Sequence, residues 1–191
     1  MLRYAITCRT LHPGNETARR HALIAQAHRL ATEGIDYIQL REKDLPDLDR
    51  IELAQAMHAA IQSTGSHTRL LLNGSPQLAL QAAVDGVHLP SSMLHTTREA
   101  CGHLVISAAC HTLQDVQHAI TFADLILYAP IFEKRVAGSV IAGGLGLQAL
   151  QIACIHAGTT PVLALGGVTA SNAAACMSAG AAGIAAIRMF L

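Results

Sequence analysis

The chain has 191 residues and is 51% hydrophobic but only 3% aromatic, with no Trp, so its core must be built from Ala, Leu, Ile and Val. Its 13 basic and 13 acidic residues cancel, and with no basic run or aromatic stacking set a nucleic-acid partner is excluded. No apolar run reaches the roughly 18 residues a membrane helix needs, which excludes a membrane span. Residues 1–191 suit one domain at the short end of the barrel size range. Five cysteines, Cys8, Cys101, Cys110, Cys154 and Cys176, are odd in number and form no C-x-x-C pair. That pattern reads as reduced thiols in a cytoplasmic protein. The N-terminus enters a strand at once, with no signal peptide ahead of it.

Strand-like and helix-like segments alternate along the chain. Residues 3–8 open as a strand, Pro13-Gly14 turns the chain, and Asn15 caps a helix running to about Glu33, which Gly34 stops. A strand over 36–42 precedes a helix over 47–63. Residues 70–73 make a short buried strand, and Pro76 opens a helix through Val84. A strand over 86–90 and a short helix over 96–101 come next. Residues 104–109 form a strand leading into a helix from Thr112 to Phe122. After a strand over 125–131, a Gly-rich loop at 138–146 separates it from a helix at 147–157. A strand over 161–165 ends in Gly166-Gly167, a helix comes next at 170–179, and the last strand is 183–188. Eight such units of about 20–25 residues predict a (β/α)8 TIM barrel, with its eighth helix short or absent.

A barrel of this kind carries its chemistry at the C-terminal ends of its strands. Those ends supply Thr7, Arg9, Gln39, Arg41, Lys43, Asn73, His88, Ala109, His111, Phe132, Glu133, Lys134, Gly166 and Gly167. The set is rich in amides, cations and glycines and poor in carboxylates, which suits a phosphorylated substrate. Period-two alternation places Gln39, Arg41 and Lys43 on one strand face as a preformed anion site. Gly166-Gly167 reads either as a phosphate cradle or as a tight turn that needs glycine. His111 stands where an imidazole could exchange protons near neutral pH. His88 reads equally as a hydrogen-bonded wall residue or a reacting one. The pairs His21/His28 and His111/His118 are seven apart, which excludes the i, i+4 zinc spacing. Asp85 and Asp124 precede strands and read as turn residues.

The segments Gln39–Asp44, Leu72-Asn73, Gly86–Leu89, Cys110–Thr112, Ala129–Phe132, Ala164–Gly167 and Gly180–Ile187 occur in the order expected for the thiamine phosphate synthase/TenI family. The chain resembles that family over essentially its whole length. The resemblance implies a TIM barrel of thiamine biosynthesis and a homodimer. It offers a magnesium-dependent synthase, which joins hydroxymethylpyrimidine diphosphate to thiazole phosphate with release of pyrophosphate. It also offers a metal-free tautomerase, which moves a proton on thiazole carboxylate phosphate. Both magnesium carboxylates expected of the synthase are missing, at Gly74 and Met93. The serine expected at 109 is Ala109, and the expected Thr-x-Thr-Lys after Phe132 is replaced by Glu133-Lys-Arg-Val-Ala137.

The expectation is therefore a thiazole tautomerase with no cofactor and no metal, magnesium entering only under the synthase reading. His111 matches the acid–base histidine of the tautomerases. Gln39, Arg41, Lys43, Asn73, His88, Phe132 and Lys134 are expected to bind substrate, with Gly166, Gly167, Ala186 and Ile187 on its phosphate. The alternatives are the synthase itself and a non-catalytic thiazole phosphate or thiamine phosphate binding protein.

Overall fold

A computed structural model describes residues 1–136 and 139–191, with only the backbone described for 134–136 and 139–142. Eight parallel strands close a barrel: β1 (Leu2–Ile6), β2 (Tyr37–Leu40), β3 (Arg69–Asn73), β4 (Gly86–Leu89), β5 (Val105–Cys110), β6 (Leu125–Tyr128), β9 (Val162–Leu165) and β10 (Gly183–Ala186). Each pairs with its neighbour in sequence, β6 with β9 and β10 back to β1. The Gly-rich stretch at 138–146, expected to be a loop, instead carries a strand, β8 (Ser139–Ala142), which pairs antiparallel with β7 (Lys134–Val136) just ahead of it, between β6 and β9. The TIM-barrel expectation holds.

Helices α1 (Glu16–Thr32), α2 (Asp47–Gln62), α3 (Pro76–Gln81), α4 (Arg98–Cys101), α5 (Leu113–Ala119), α6 (Gly146–Ala157) and α7 (Ala173–Ser178) fill the crossovers. Beyond β10 the described chain makes only a 3-10 turn, Arg188–Phe190. Helix starts are set locally. The side chains of Asn15, Ser75 and Thr97 each accept from an N–H of the first turn. Thr112 and Asp115 form a reciprocal capping box. No described helix is long and apolar enough to cross a membrane.

Strand alternation divides the core in two. Tyr4, Ile6, Leu71, Leu125, Leu127, Leu163 and Ala185 fill the barrel interior. The opposite strand faces, with residues such as Ala5, Ile38, Leu72 and Ala164, pack against helices. Three aspartates fasten the N-terminal rim. Asp36, Asp85 and Asp124 accept the backbone N–H of Arg3, Leu70 and Ile106 at 2.7, 2.8 and 2.7 Å. Each stands just before an even strand and ties down the start of an odd one, the turn role read for Asp85 and Asp124.

Candidate functional site

The alternation that fills the lower barrel with leucine turns polar residues inward near its C-terminal end. Gln39, Asn73, His88 and Ser107 follow the inward parity of β2 to β5, and all four are buried. Gln39 is 1% exposed, and neither its Oε1 nor its Nε2 has a hydrogen-bond partner in the protein. A buried amide left unpaired costs about 1–3 kcal/mol, which makes Gln39 a candidate ligand-binding group. His88 has its Nδ1 2.9 Å from Ser107 Oγ, and Ser107 in turn accepts from the Tyr4 hydroxyl at 3.4 Å. Burial, with the positive charges of Arg41 and Lys43, depresses the His88 pKa to about 3. His88 is thus a neutral imidazole at any pH near 7.

Arg41 and Lys43 depart from the sequence expectation in one respect: β2 ends at Leu40, so neither lies on the strand. The Arg41 N–H donates to Thr7 Oγ1 at 2.9 Å, and this side-chain acceptor ends the ladder with β1. Both residues are exposed and close enough to His88 for their charges to act on it. The sequence reading missed Glu42. Its buried carboxylate accepts from Thr7 Oγ1 at 2.7 Å, from the Arg9 N–H at 3.1 Å and from Arg9 Nη1 at 3.0 Å. Arg9 also pairs with Glu16 and Asp44. Arg9, a strand-end cation in the sequence reading, is therefore spent on structure. Arg41 and Lys43 have no ion pair among the described residues. A lone acid between two cations was the sequence signal for Glu42.

His111 follows β5 on its inward parity and is exposed. Asp115 accepts the backbone N–H groups of His111 and Thr112 at 2.8 and 2.9 Å, which fixes the turn. His111 Nδ1 lies 2.7 Å from the carbonyl of Ala129, at the end of β6. A carbonyl can only accept, so Nδ1 carries the proton and Nε2 of the neutral ring is bare. This carbonyl contact was out of sight in the sequence, because Ala129 lies 18 residues away.

Gly166 and Gly167 have φ of +94° and +66°. A Cβ on Gly166 would lie 2.8 Å from Pro130 Cα, and one on Gly167 2.7 Å from Phe132 Cβ. Glycine is thus required by packing in this turn. The α7 helix starts only at Ala173, later than the 170 expected. Phe132 is half-buried, and its N–H donates to the Gly166 carbonyl. By alternation Ile187 follows the inward parity of Ala185, while the Ala186 side chain faces the helices, so Ala186 can offer only backbone to the mouth. The side chain of Lys134 lies outside the described residues. Two surface hollows of about 610 and 450 Å³ open at the other end of the barrel, both walled by Arg69. Helix C-termini with partly negative carbonyls surround that rim, which disfavours an anion there.

A model of the family described as thiamine monophosphate synthase matches residues 3–190. The chain belongs to the thiamine monophosphate synthase family. The thiamine-phosphate synthase of Methanoculleus marisnigri is 32% identical over 192 residues, covering 96% of this chain and 84% of the relative. That of Bacillus mycoides is 32% identical over 162 residues, 81% of this chain and 72% of the relative. The thiamine phosphate pyrophosphorylase from Pyrococcus furiosus superposes with a TM-score of 0.79 at 23% identity, over 97% of this chain and 85% of that one, a likeness of fold.

The magnesium implied by the family's synthase branch finds a poor donor set in this chain. Gly74 and Met93 stand where that branch expects carboxylates, and a Cβ on Gly74 would sit 3.4 Å from the Arg50 guanidinium. Among the described residues no group of three His, Cys, Asp or Glu is arranged to hold a metal. Arg50, the side chain beside position 74, is ion-paired with Asp47 and donates to the Asn73 carbonyl, so it offers a metal no ligand.

Proposed function

We propose that this member of the thiamine monophosphate synthase family is a thiazole tautomerase acting on thiazole carboxylate phosphate. The observation that carries the reading is His111, whose Nδ1–H is held by the Ala129 carbonyl so that Nε2 is the basic atom. Nε2 takes a proton from the substrate and returns the same proton to another of its atoms, so no co-reactant is consumed. Arg41 and Gln39 hold the carboxylate. The turn at Gly166-Gly167 and the backbone at Ala186 and Ile187 hold the phosphate. Lys43 adds positive charge at the rim, and Asn73 and Phe132 complete the substrate contacts. An open site with unpaired cations and no metal carboxylates at 74 and 93 supports this reading.

The second reading is thiamine phosphate synthase, a transferase. The names of the relatives support it over the tautomerase, and Arg41 and Lys43 would suit a pyrophosphate equally well. A single pair of assays separates the two. Tautomerisation should proceed in excess chelator, and His111→Asn should lose about 10²–10⁴ in rate while still binding substrate. Turnover that requires magnesium and the pyrimidine diphosphate would establish the synthase instead. Binding of thiazole phosphate with neither activity would leave a binding protein.

A further inference from the structure

His88 has a second property, set by the count of protons around it. Ser107 is fully buried, and its hydroxyl meets two groups among the described residues, Tyr4 OH and His88 Nδ1. Tyr4, also fully buried, is the donor in the first of these bonds. The one proton of Ser107 then has a single acceptor within reach, the His88 Nδ1. Were Nδ1 itself protonated, Ser107 would accept twice and its own proton would be buried with no acceptor, a costly arrangement. The imidazole proton must therefore sit on Nε2, the ring edge away from the relay. His88 is the last inward-facing residue of β4, at the end of the barrel where Arg41 and Lys43 act on it.

We propose that the Tyr4–Ser107 hydroxyl relay locks His88 as the Nε2–H tautomer and that this N–H is a hydrogen-bond donor to an oxygen or ring-nitrogen acceptor of the substrate. The mouth then holds two imidazoles of opposite sense. His111 offers a bare nitrogen that can take a proton. His88 offers an N–H that stays a donor, because protonating the ring would add a buried charge beside two cations. His88 is a specificity residue and Ser107 and Tyr4 are positioning residues, a role that rests on the tautomerase reading only in the identity of the substrate.

Two-bond ¹H–¹⁵N spectra of the ¹⁵N-histidine-labelled full chain test the tautomer without any ligand. The His88 signal should show the Nε2–H pattern from pH 5 to pH 8 without titrating, and Ser107→Ala should turn it into a mixture. Calorimetry with thiazole carboxylate phosphate tests the contact. His88→Gln, which keeps an amide N–H near the place of Nε2, should bind within about threefold of wild type, and His88→Leu about tenfold more weakly. An Nδ1–H pattern, a titration within that window, or wild-type affinity in His88→Leu would overturn the proposal. Should wild type bind no thiazole carboxylate phosphate, the proposed function falls while the spectrum still decides the tautomer.

Discussion

At the scale of single residues, the mouth is organised by which cation is neutralised. Arg9 meets Glu16, Glu42 and Asp44, and its side chain is only 8% exposed. Its hydrogen bond to Asp44 also holds that carboxyl down at about 2. Arg41 and Lys43, on the loop that carries Glu42, have no ion pair among the described residues. Two of the three acids on Arg9, Glu42 and Asp44, differ in worth because their surroundings differ. Glu42, 3% exposed and bonded to three donors, is buried. Asp44, 67% exposed, is in water. Glu42→Gln should cost about 3 kcal/mol in urea unfolding, the lower end for a broken buried pair since Arg9 keeps two partners. Asp44→Asn should cost less than about 1 kcal/mol. Equal small losses would show that the Arg9 network is solvated and does not hold the two loops together.

At the scale of elements, what was legible in the sequence was whatever chain neighbours decide. The helix starts at Asn15 and Thr112 could be read because each cap reaches only three residues ahead, and the one at Pro76 from the proline itself. The end of β2 could not, since the Thr7 side chain of another loop stops it 34 residues away. The hairpin of β7 and β8 was hidden behind glycines that read as loop. His88 was visible as a polar residue on an apolar strand, but its tautomer depends on Ser107 and on Tyr4, 103 residues from Ser107. The turn after β9 shows the same division, for its glycines were visible and their reason was not. Gly167 and Gly65 share nearly the same φ, +66° and +68°, yet a Cβ on Gly65 would meet nothing within 4 Å. Gly65→Ala should therefore cost only the left-handed backbone penalty, roughly 1 kcal/mol. Gly167→Ala must also push against Phe132 and should cost about 1–3 kcal/mol more. It should raise KM for a phosphorylated substrate too, which Gly65→Ala should not. Equal unfolding losses in the two variants would remove the close approach to Phe132 as the reason for glycine.

At the scale of the whole molecule, the polar end of the barrel makes folding sensitive to acid. His88 keeps a pKa of about 3 in the folded chain, against about 6.5 for an unfolded histidine. Between those values the unfolded chain binds a proton that the folded chain refuses, so stability falls as pH falls. The contribution is intact above about 6.5 and is lost progressively on the way down to about 3. Asp44, held at about 2 by Arg9, adds a loss of the same sign only below its ordinary value near 3.8. The interval from about pH 6.5 to about pH 5.5 therefore reports mainly on histidine, because Glu16 and Glu99, held below their ordinary 4.5, add their loss at lower pH. Unfolding midpoints in urea should drop steadily across that interval in the wild-type chain. His88→Gln cannot take up the proton in either state and should give a visibly flatter profile there. Parallel profiles in the two proteins would mean that His88 takes up a proton in the fold as easily as an unfolded histidine, so that the donor assigned to the mouth would titrate near about pH 6.5 instead of staying neutral.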